Sequence, residues 1–241
     1  NTSYLKMTNG AASGYVLQSD ASGNGKWVDA NAGTGAVRYI GNSYLGKTSG
    51  YGSTGASEGS SSNLYNIYIG DSAGNNNTTG TYNIGLGYQS AANNTTGIYN
   101  TSIGHKSFAG NTTGSSNTAL GAYSLNNNTT GSYNIGVGGS SLYTNTTGSR
   151  NTALGYGAET ISTTGNDNTS LGYFANAKIQ AGSRNTSIGS NVNVANETGS
   201  DNTMIGYFAG AYNSGSANVF LGSQAGYNET GSNKLYISNS S

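Results

Sequence analysis

The chain has 241 residues, of which 40 are glycine and only 7% are charged. Nine basic and nine acidic residues give a formal net charge of zero, which excludes the basic surface expected of a nucleic-acid or anionic-membrane binder. Cysteine is absent and His105 is the one histidine, so disulfides, thiolate metal ligands and multi-histidine sites are excluded.

Residues 1–62 contain no repeat, and we expect them to form a small N-terminal connector region. No apolar run in the chain approaches the ~18 residues of a membrane-spanning helix. The start of the chain also lacks the basic and hydrophobic segments of a secretion signal. We therefore expect a mature chain or an internal fragment that does not insert into a membrane.

Residues 63–241 form a tandem repeat. The motif Asn-x-x-(Ile/Leu/Val)-Gly begins at Asn66 and returns every 17 residues as far as Asn202 (83 − 66 = 17). A short fixed period is typical of solenoids, in which each unit buries its apolar surface against its neighbours. Counting this Asn as position 1, positions 2 and 4 are mostly β-branched or aliphatic, which is strand periodicity. The sequence predicts an all-β parallel β-solenoid (β-roll) of about ten 17-residue coils.

Hydrophobicity predicts which face of each strand lies inside. We expect positions 2 and 4 to face the core, where the position-4 side chains, among them Leu120, Leu154 and Leu171, stack into an aliphatic ladder. Position 8 is small, which indicates a thin interior. Position 3 points the other way and is mostly small and uncharged, so we expect a subunit interface there. Three chains around one axis are the most economical closed arrangement for a fibre.

Two polar columns run along the repeat. Side chains of the position-1 asparagines can form an amide ladder from coil to coil, although a preference for left-handed turns explains them as well. The predicted ladder includes Asn83, Asn100, Asn117, Asn134 and Asn151. Position 17 alternates in charge over four coils, with Arg150, Asp167, Arg184 and Asp201. Exposed ion pairs add little stability, so we expect this column to fix the register of the coils.

Tyrosines at position 6 are the candidate ligand contacts: Tyr88, Tyr156, Tyr173 and Tyr207. Aromatic faces with polar tips suit stacking on sugars or docking of a partner protein, and packing between chains explains these residues equally well. His105 occupies the same position. We therefore interpret it as a replacement for a surface aromatic and not as a catalytic base.

An enzymatic function is not expected. Asp167 and Asp201 lie two coils apart, about 10 Å by strand spacing, which is close to the carboxylate separation of inverting glycosidases. Arg184 between them would lower the pKa of both carboxyl groups, whereas a general acid needs a raised pKa. Nine acidic residues cannot supply a calcium ligand in every coil. We predict no metal and no cofactor.

The segments Asn117 to Ser124 and Asn151 to Ala158 resemble the repeats of YadA-like heads in trimeric autotransporter adhesins. The resemblance covers about residues 66–237 and implies a homotrimeric, left-handed parallel β-roll that binds host surfaces. The stretch from Gly14 to Val28 is similar to a segment found upstream of repeats in bacteriophage tail fibres and fibre-like bacterial surface proteins. The closing stretch from Asn233 to Asn239 is similar to the exit from such repeats.

These observations favour a structural fibre segment, either of a phage tail fibre or of a bacterial surface adhesin. It would lie outside the cell, on the cell surface or on the virion tail, and would space and present a surface that binds a receptor or glycan. Alternatives are a subunit of a self-assembling extracellular filament and a monomeric ice- or glycan-binding solenoid. Ice binding is disfavoured because the position-2 threonines are expected to face the core.

Overall fold

A computed structural model describes residues 15–19, 25–29, 42–45 and 65–238. The chain divides into two compact units, Asn1–Ile40 and Gly41–Ser241. In the first unit, β1 (Tyr15–Ser19) and β2 (Gly25–Asp29) are paired antiparallel strands. The predicted end of the connector at residue 62 lies outside the described residues.

The second unit contains one 12-stranded parallel sheet in which each strand pairs with the strands that precede and follow it in the chain. The strands are β3 (Asn42–Leu45), β4 (Asn66–Ile69), β5 (Ile84–Leu86), β6 (Thr101–Ile103), β7 (Thr118–Leu120), β8 (Ile135–Val137), β9 (Thr152–Leu154), β10 (Thr169–Leu171), β11 (Thr186–Ile188), β12 (Thr203–Ile205), β13 (Val219–Leu221) and β14 (Leu235–Ile237). The predicted parallel β-solenoid of about ten 17-residue coils is confirmed. The sheet begins at β3, within the predicted connector.

Successive coils are in register, and a glycine follows each strand from β4 to β13. Leu154 pairs with Leu171 and Leu171 with Ile188, so equivalent positions stack directly on one another. In these coils the position-5 glycine has a φ that residues bearing a side chain rarely adopt, for example +130° at Gly87. A Cβ atom at Gly87 would lie 2.5 Å from the carbonyl oxygen of Gly104 in the next coil. Glycine therefore permits both the bend and the close stacking of coils.

Position 3 faces the interior from Tyr68 to Phe220, which is the reverse of the predicted orientation. Ala153 is fully buried, whereas 45% of its neighbour Leu154 is exposed. Leu120 and Leu171 likewise lie on the outside. The predictions that positions 2 and 4 form the core and that position 3 is a subunit interface are therefore wrong.

The interior is filled by positions 3, 8 and 9, and the sizes of positions 3 and 9 compensate for each other. Large Tyr68 is followed six residues later by Gly74, whereas small Ala119 is followed by the buried Leu125. A Cβ atom at Gly74 would lie 2.5 Å from the Tyr68 ring, so a glycine is needed there. Position 8 is small and buried, as predicted. The core thus forms two apolar clusters: Tyr68, Ala73, Ala91, Phe108, Ala119, Leu125, Leu142, Ala153 and Ala158, and then Ala175, Val192, Met204, Ala209, Phe220 and Ala225.

Buried asparagines at position 1 explain why positions 1 and 3, which share one face of the strand, point inward. The backbone N–H of Asn100 donates to Oδ1 of Asn83 at 2.9 Å, and the Nδ2 of Asn100 donates to the carbonyl oxygen of Gly114 at 2.9 Å. A second buried asparagine column at position 12 links the same coils, since Asn111 Nδ2 donates to Asn94 Oδ1 at 2.7 Å and to the Gly114 carbonyl at 3.0 Å. Inside, the amides of Asn100 and Asn111 are satisfied from coil to coil. Because side chains alternate along a strand, positions 2 and 4 must then point outward.

Candidate interaction surface

The outer face of the sheet is an exposed strip formed by positions 2 and 4. Position 4 is aliphatic in ten successive coils: Ile69, Leu86, Ile103, Leu120, Val137, Leu154, Leu171, Ile188, Ile205 and Leu221. Position 2 mixes Ile and Val with threonines, which are half-buried or exposed: Thr101, Thr118, Thr152, Thr169, Thr186 and Thr203. The argument that position-2 threonines face the core is therefore wrong. Proteins rarely leave so regular an apolar surface without a partner.

Two columns flank the outer face in each coil, and the first is position 17. At its N-terminal end, Tyr65, Tyr82 and Tyr99 are exposed and stack on one another, with ring centroids 5.1 and 5.0 Å apart. All three residues have positive φ angles. This aromatic stack was not among the predicted sites, although the recurrence of tyrosine at position 17 is visible in the sequence.

Further along position 17, the alternating charges form two ion pairs. Arg150 Nε donates to Asp167 Oδ1 at 2.6 Å and its Nη2 donates to Oδ2 at 3.0 Å. Arg184 binds Asp201 in the same way: its Nε donates to Oδ1 at 2.6 Å and its Nη2 donates to Oδ2 at 2.8 Å. The hydrogen bond from Arg150 holds the pKa of Asp167 below its usual value, and Arg184 does the same for Asp201. Both carboxylates stay ionised, which is the opposite of what a general acid requires.

The second flanking column is position 6, where the predicted tyrosines are all exposed. Tyr88 stacks on His105 with ring centroids 5.3 Å apart, and Tyr156 stacks on Tyr173 at 6.0 Å. The four predicted tyrosines therefore do not form one continuous stack, because Tyr207 lies two coils beyond Tyr173. Stacked rings present their edges and hydroxyl groups to solvent, so their faces are available only where a stack is interrupted.

Glu159 is a buried ionisable residue that sequence reasoning missed. It occupies position 9, where other coils place Leu125 or Leu142, and it is completely buried. Its carboxyl group accepts hydrogen bonds from Ser170 Oγ at 3.0 Å and from Asn168 Nδ2 at 3.1 Å. Burial raises the pKa of Glu159 to about 7, although hydrogen bonds from Ser170 and Asn168 oppose the shift. Only knowledge that position 9 faces inward would have revealed it.

In the part of the chain that the structure describes, no three His, Cys, Asp or Glu side chains are grouped so that they could hold a metal ion. The same residues include no helix that is long and apolar enough to cross a membrane. In comparisons with known proteins, no family model, curated protein or solved structure matches this chain. Its function must therefore be inferred from its own surfaces.

Proposed function

We propose that this chain is a structural fibre segment that assembles as a homotrimer through the outer face of its sheet. The fibre would be extracellular, on a bacterial surface or a virion tail, and would space and present a surface that binds a receptor or glycan. The observation that carries the proposal is the unbroken aliphatic column at position 4. A solenoid that worked alone would gain nothing from keeping a half-buried or exposed Ile, Leu or Val on its outer face at ten consecutive coils.

The outer face alone is smaller than a typical stable interface. From β4 to β14 there are ten coil steps, which give a height of about 48 Å at ~4.8 Å per step, and three residues give a width of about 10 Å. The resulting strip of about 480 Å² is smaller than the ~800 Å² that each partner contributes to a typical stable interface. A trimer around one axis would also cover the position-17 column of each chain, and the position-6 column would stay exposed. The resemblance of the repeats to YadA-like heads supports three copies.

The proposal is tested by the solution mass of the intact chain, measured by light scattering. We expect a stable species of three times 24.3 kDa. Leu154→Asp should dissociate it without unfolding the coil, because Leu154 lies on the outer face. Ile161→Asp is the matched control, since Ile161 is an aliphatic residue of similar exposure, 40% against 45%, at position 11. A monomeric wild type, or equal effects of the two substitutions, would contradict the proposal. Large polydisperse species would favour the filament alternative.

Ice binding is a second candidate function, favoured by the position-2 threonines on the outer face. Thr152 pairs in register with Thr169, and Thr186 with Thr203, so their side chains repeat at the coil spacing on an exposed parallel sheet. A regular array of this kind can order water, but only if no partner covers the face. A monomeric mass together with thermal hysteresis in an ice-growth assay would support this function. Absence of hysteresis in a monomeric sample would exclude it.

A further inference from the structure

We propose that the interruption of the position-6 column at Ser190 is a slot that binds the pyranose ring of a neutral sugar. One wall is the aromatic pair Tyr173 and Phe174, in the coil before Ser190, and the other is Tyr207 and Phe208, in the coil after it. The inference rests on the proposed function for its choice of a glycan as the ligand. It gives that glycan a defined place on the shaft, which we call the Ser190 slot.

The backbone continues through the Ser190 slot without a break in register. The N–H of Asn191 donates to the carbonyl oxygen of Tyr173 at 2.9 Å, and the N–H of Phe208 donates to the carbonyl oxygen of Ser190 at 3.1 Å. Ser190 therefore occupies the place in the stack that a tyrosine fills in the adjacent coils. Its short side chain places no ring between Tyr173 and Tyr207.

The two walls match each other. The Tyr173 and Phe174 rings are nearly perpendicular, with an interplanar angle of 81° and centroids 4.6 Å apart. The Tyr207 and Phe208 rings repeat this corner at 4.5 Å and 79°. Two coil steps separate the corners by about 9.6 Å, so a ring placed midway lies about 5 Å from each wall, within the ~4.5–7 Å range of ring contacts. One six-membered ring fits the space.

The base of the slot is polar. Asn191 Nδ2 donates to Ser190 Oγ at 3.1 Å, and both side chains are half-buried. An amide and a hydroxyl together offer hydrogen-bond donors and acceptors to the hydroxyl groups of a sugar, while the aromatic walls contact its apolar C–H faces. A Tyr or Phe ring from another chain would use the walls but not the base. All six slot residues are uncharged, which favours a neutral hexopyranose over an acidic sugar.

The experiment is saturation-transfer difference NMR on the intact chain with millimolar methyl glycosides of glucose, galactose, mannose and N-acetylglucosamine. Ser190→Tyr fills the slot with the residue that this column already accepts at Tyr156 and Tyr173, so the coil should keep its circular dichroism and melting temperature. Ala122→Tyr is the matched control, because it adds a tyrosine at an exposed position-6 site outside the slot.

We expect at least one glycoside to give a signal with the wild type and with Ala122→Tyr, and no signal with Ser190→Tyr. Tyr207→Ala, which removes part of one wall, should weaken binding about tenfold. The proposal is overturned if no glycoside gives a signal, or if the signal persists in Ser190→Tyr. A lower oligomer mass for Ser190→Tyr would also overturn it, by assigning the slot to a side chain of a second copy. The wild-type mass of the same sample reports separately on the fibre proposal.

Discussion

Replacing Glu159 with glutamine should remove a pH dependence from the stability of the solenoid. The pKa of this carboxyl group is about 7 in the folded chain, against an ordinary value of 4.5. Because the folded-state pKa is raised, the neutral form stabilises the fold fully below about pH 4.5. That contribution is lost as the pH rises to about 7. The sign is opposite for Asp167 and Asp201, whose lowered pKa values make their contributions disappear only in acid.

The size of the effect follows from the two pKa values. A difference of about 2.5 pH units is worth on the order of 3.4 kcal/mol at ~1.36 kcal/mol per unit. About 2.5 kcal/mol of this lies between pH 5 and pH 8. Glutamine has nearly the same shape and stays neutral, so the stability of Glu159→Gln relative to the wild type should rise by about 2.5 kcal/mol from pH 5 to pH 8. Glu159→Leu, which installs the residue found at Leu142, should also lose the pH dependence.

The assay is urea unfolding of the wild type and both variants at pH 5 and pH 8, followed by circular dichroism. Groups that titrate elsewhere are common to all three proteins, so the difference between wild type and variant isolates residue 159. Wild-type stability should fall relative to Glu159→Gln as the pH rises. An unchanged difference between the two pH values would refute the assignment of Glu159 as a buried carboxyl group with a raised pKa.

Three further substitutions test the packing and the columns by thermal and urea unfolding. Gly74→Ala should destabilise the fold by about 1–3 kcal/mol, because its Cβ would press on the Tyr68 ring. A melting temperature equal to that of the wild type would contradict this packing. Asn111→Ala removes a buried amide and leaves partners in adjacent coils unpaired, at a cost of about 1–3 kcal/mol. An unchanged free energy of unfolding would show that the amide column does not stabilise the fold. Arg150→Ala should leave the free energy of unfolding within experimental error of the wild-type value, since the ion pair of Arg150 with Asp167 is exposed. A large loss of stability would refute the expectation that this column only fixes the register of the coils.

The period of the repeat and the positions of the strands were predictable from the sequence, but the inward face was not. A three-residue strand offers only two choices, and hydrophobicity favours placing Leu154 inside. The structure resolves the choice differently because the position-1 asparagines, which share a face with position 3, satisfy one another only in the interior. The opposite sizes of positions 3 and 9, as in Tyr68 with Gly74, are a sequence signal that would have identified the core.

The candidate sites also include some that the sequence predicts and some that it does not. Exposed tyrosines such as Tyr173 and Tyr207 were predictable because polar-tipped aromatics recurred at one position of the coil. The Ser190 slot was not, since it depends on a small residue between aromatic pairs that only the stacked coils bring together. Burial of Glu159 was equally hidden, because a charged residue in a polar repeat is expected to face water.

Cross-linking of single cysteines tests most directly the claim that the outer face joins copies of this chain. The chain has no cysteine of its own, so Thr152→Cys and Ile161→Cys each introduce one thiol, the first on the outer face and the second at position 11. With a short bis-maleimide reagent, Thr152→Cys should give covalent dimers within the assembled trimer, and Ile161→Cys should remain monomeric on a denaturing gel. Cross-linking of Ile161→Cys alone, or of neither variant, would contradict the account.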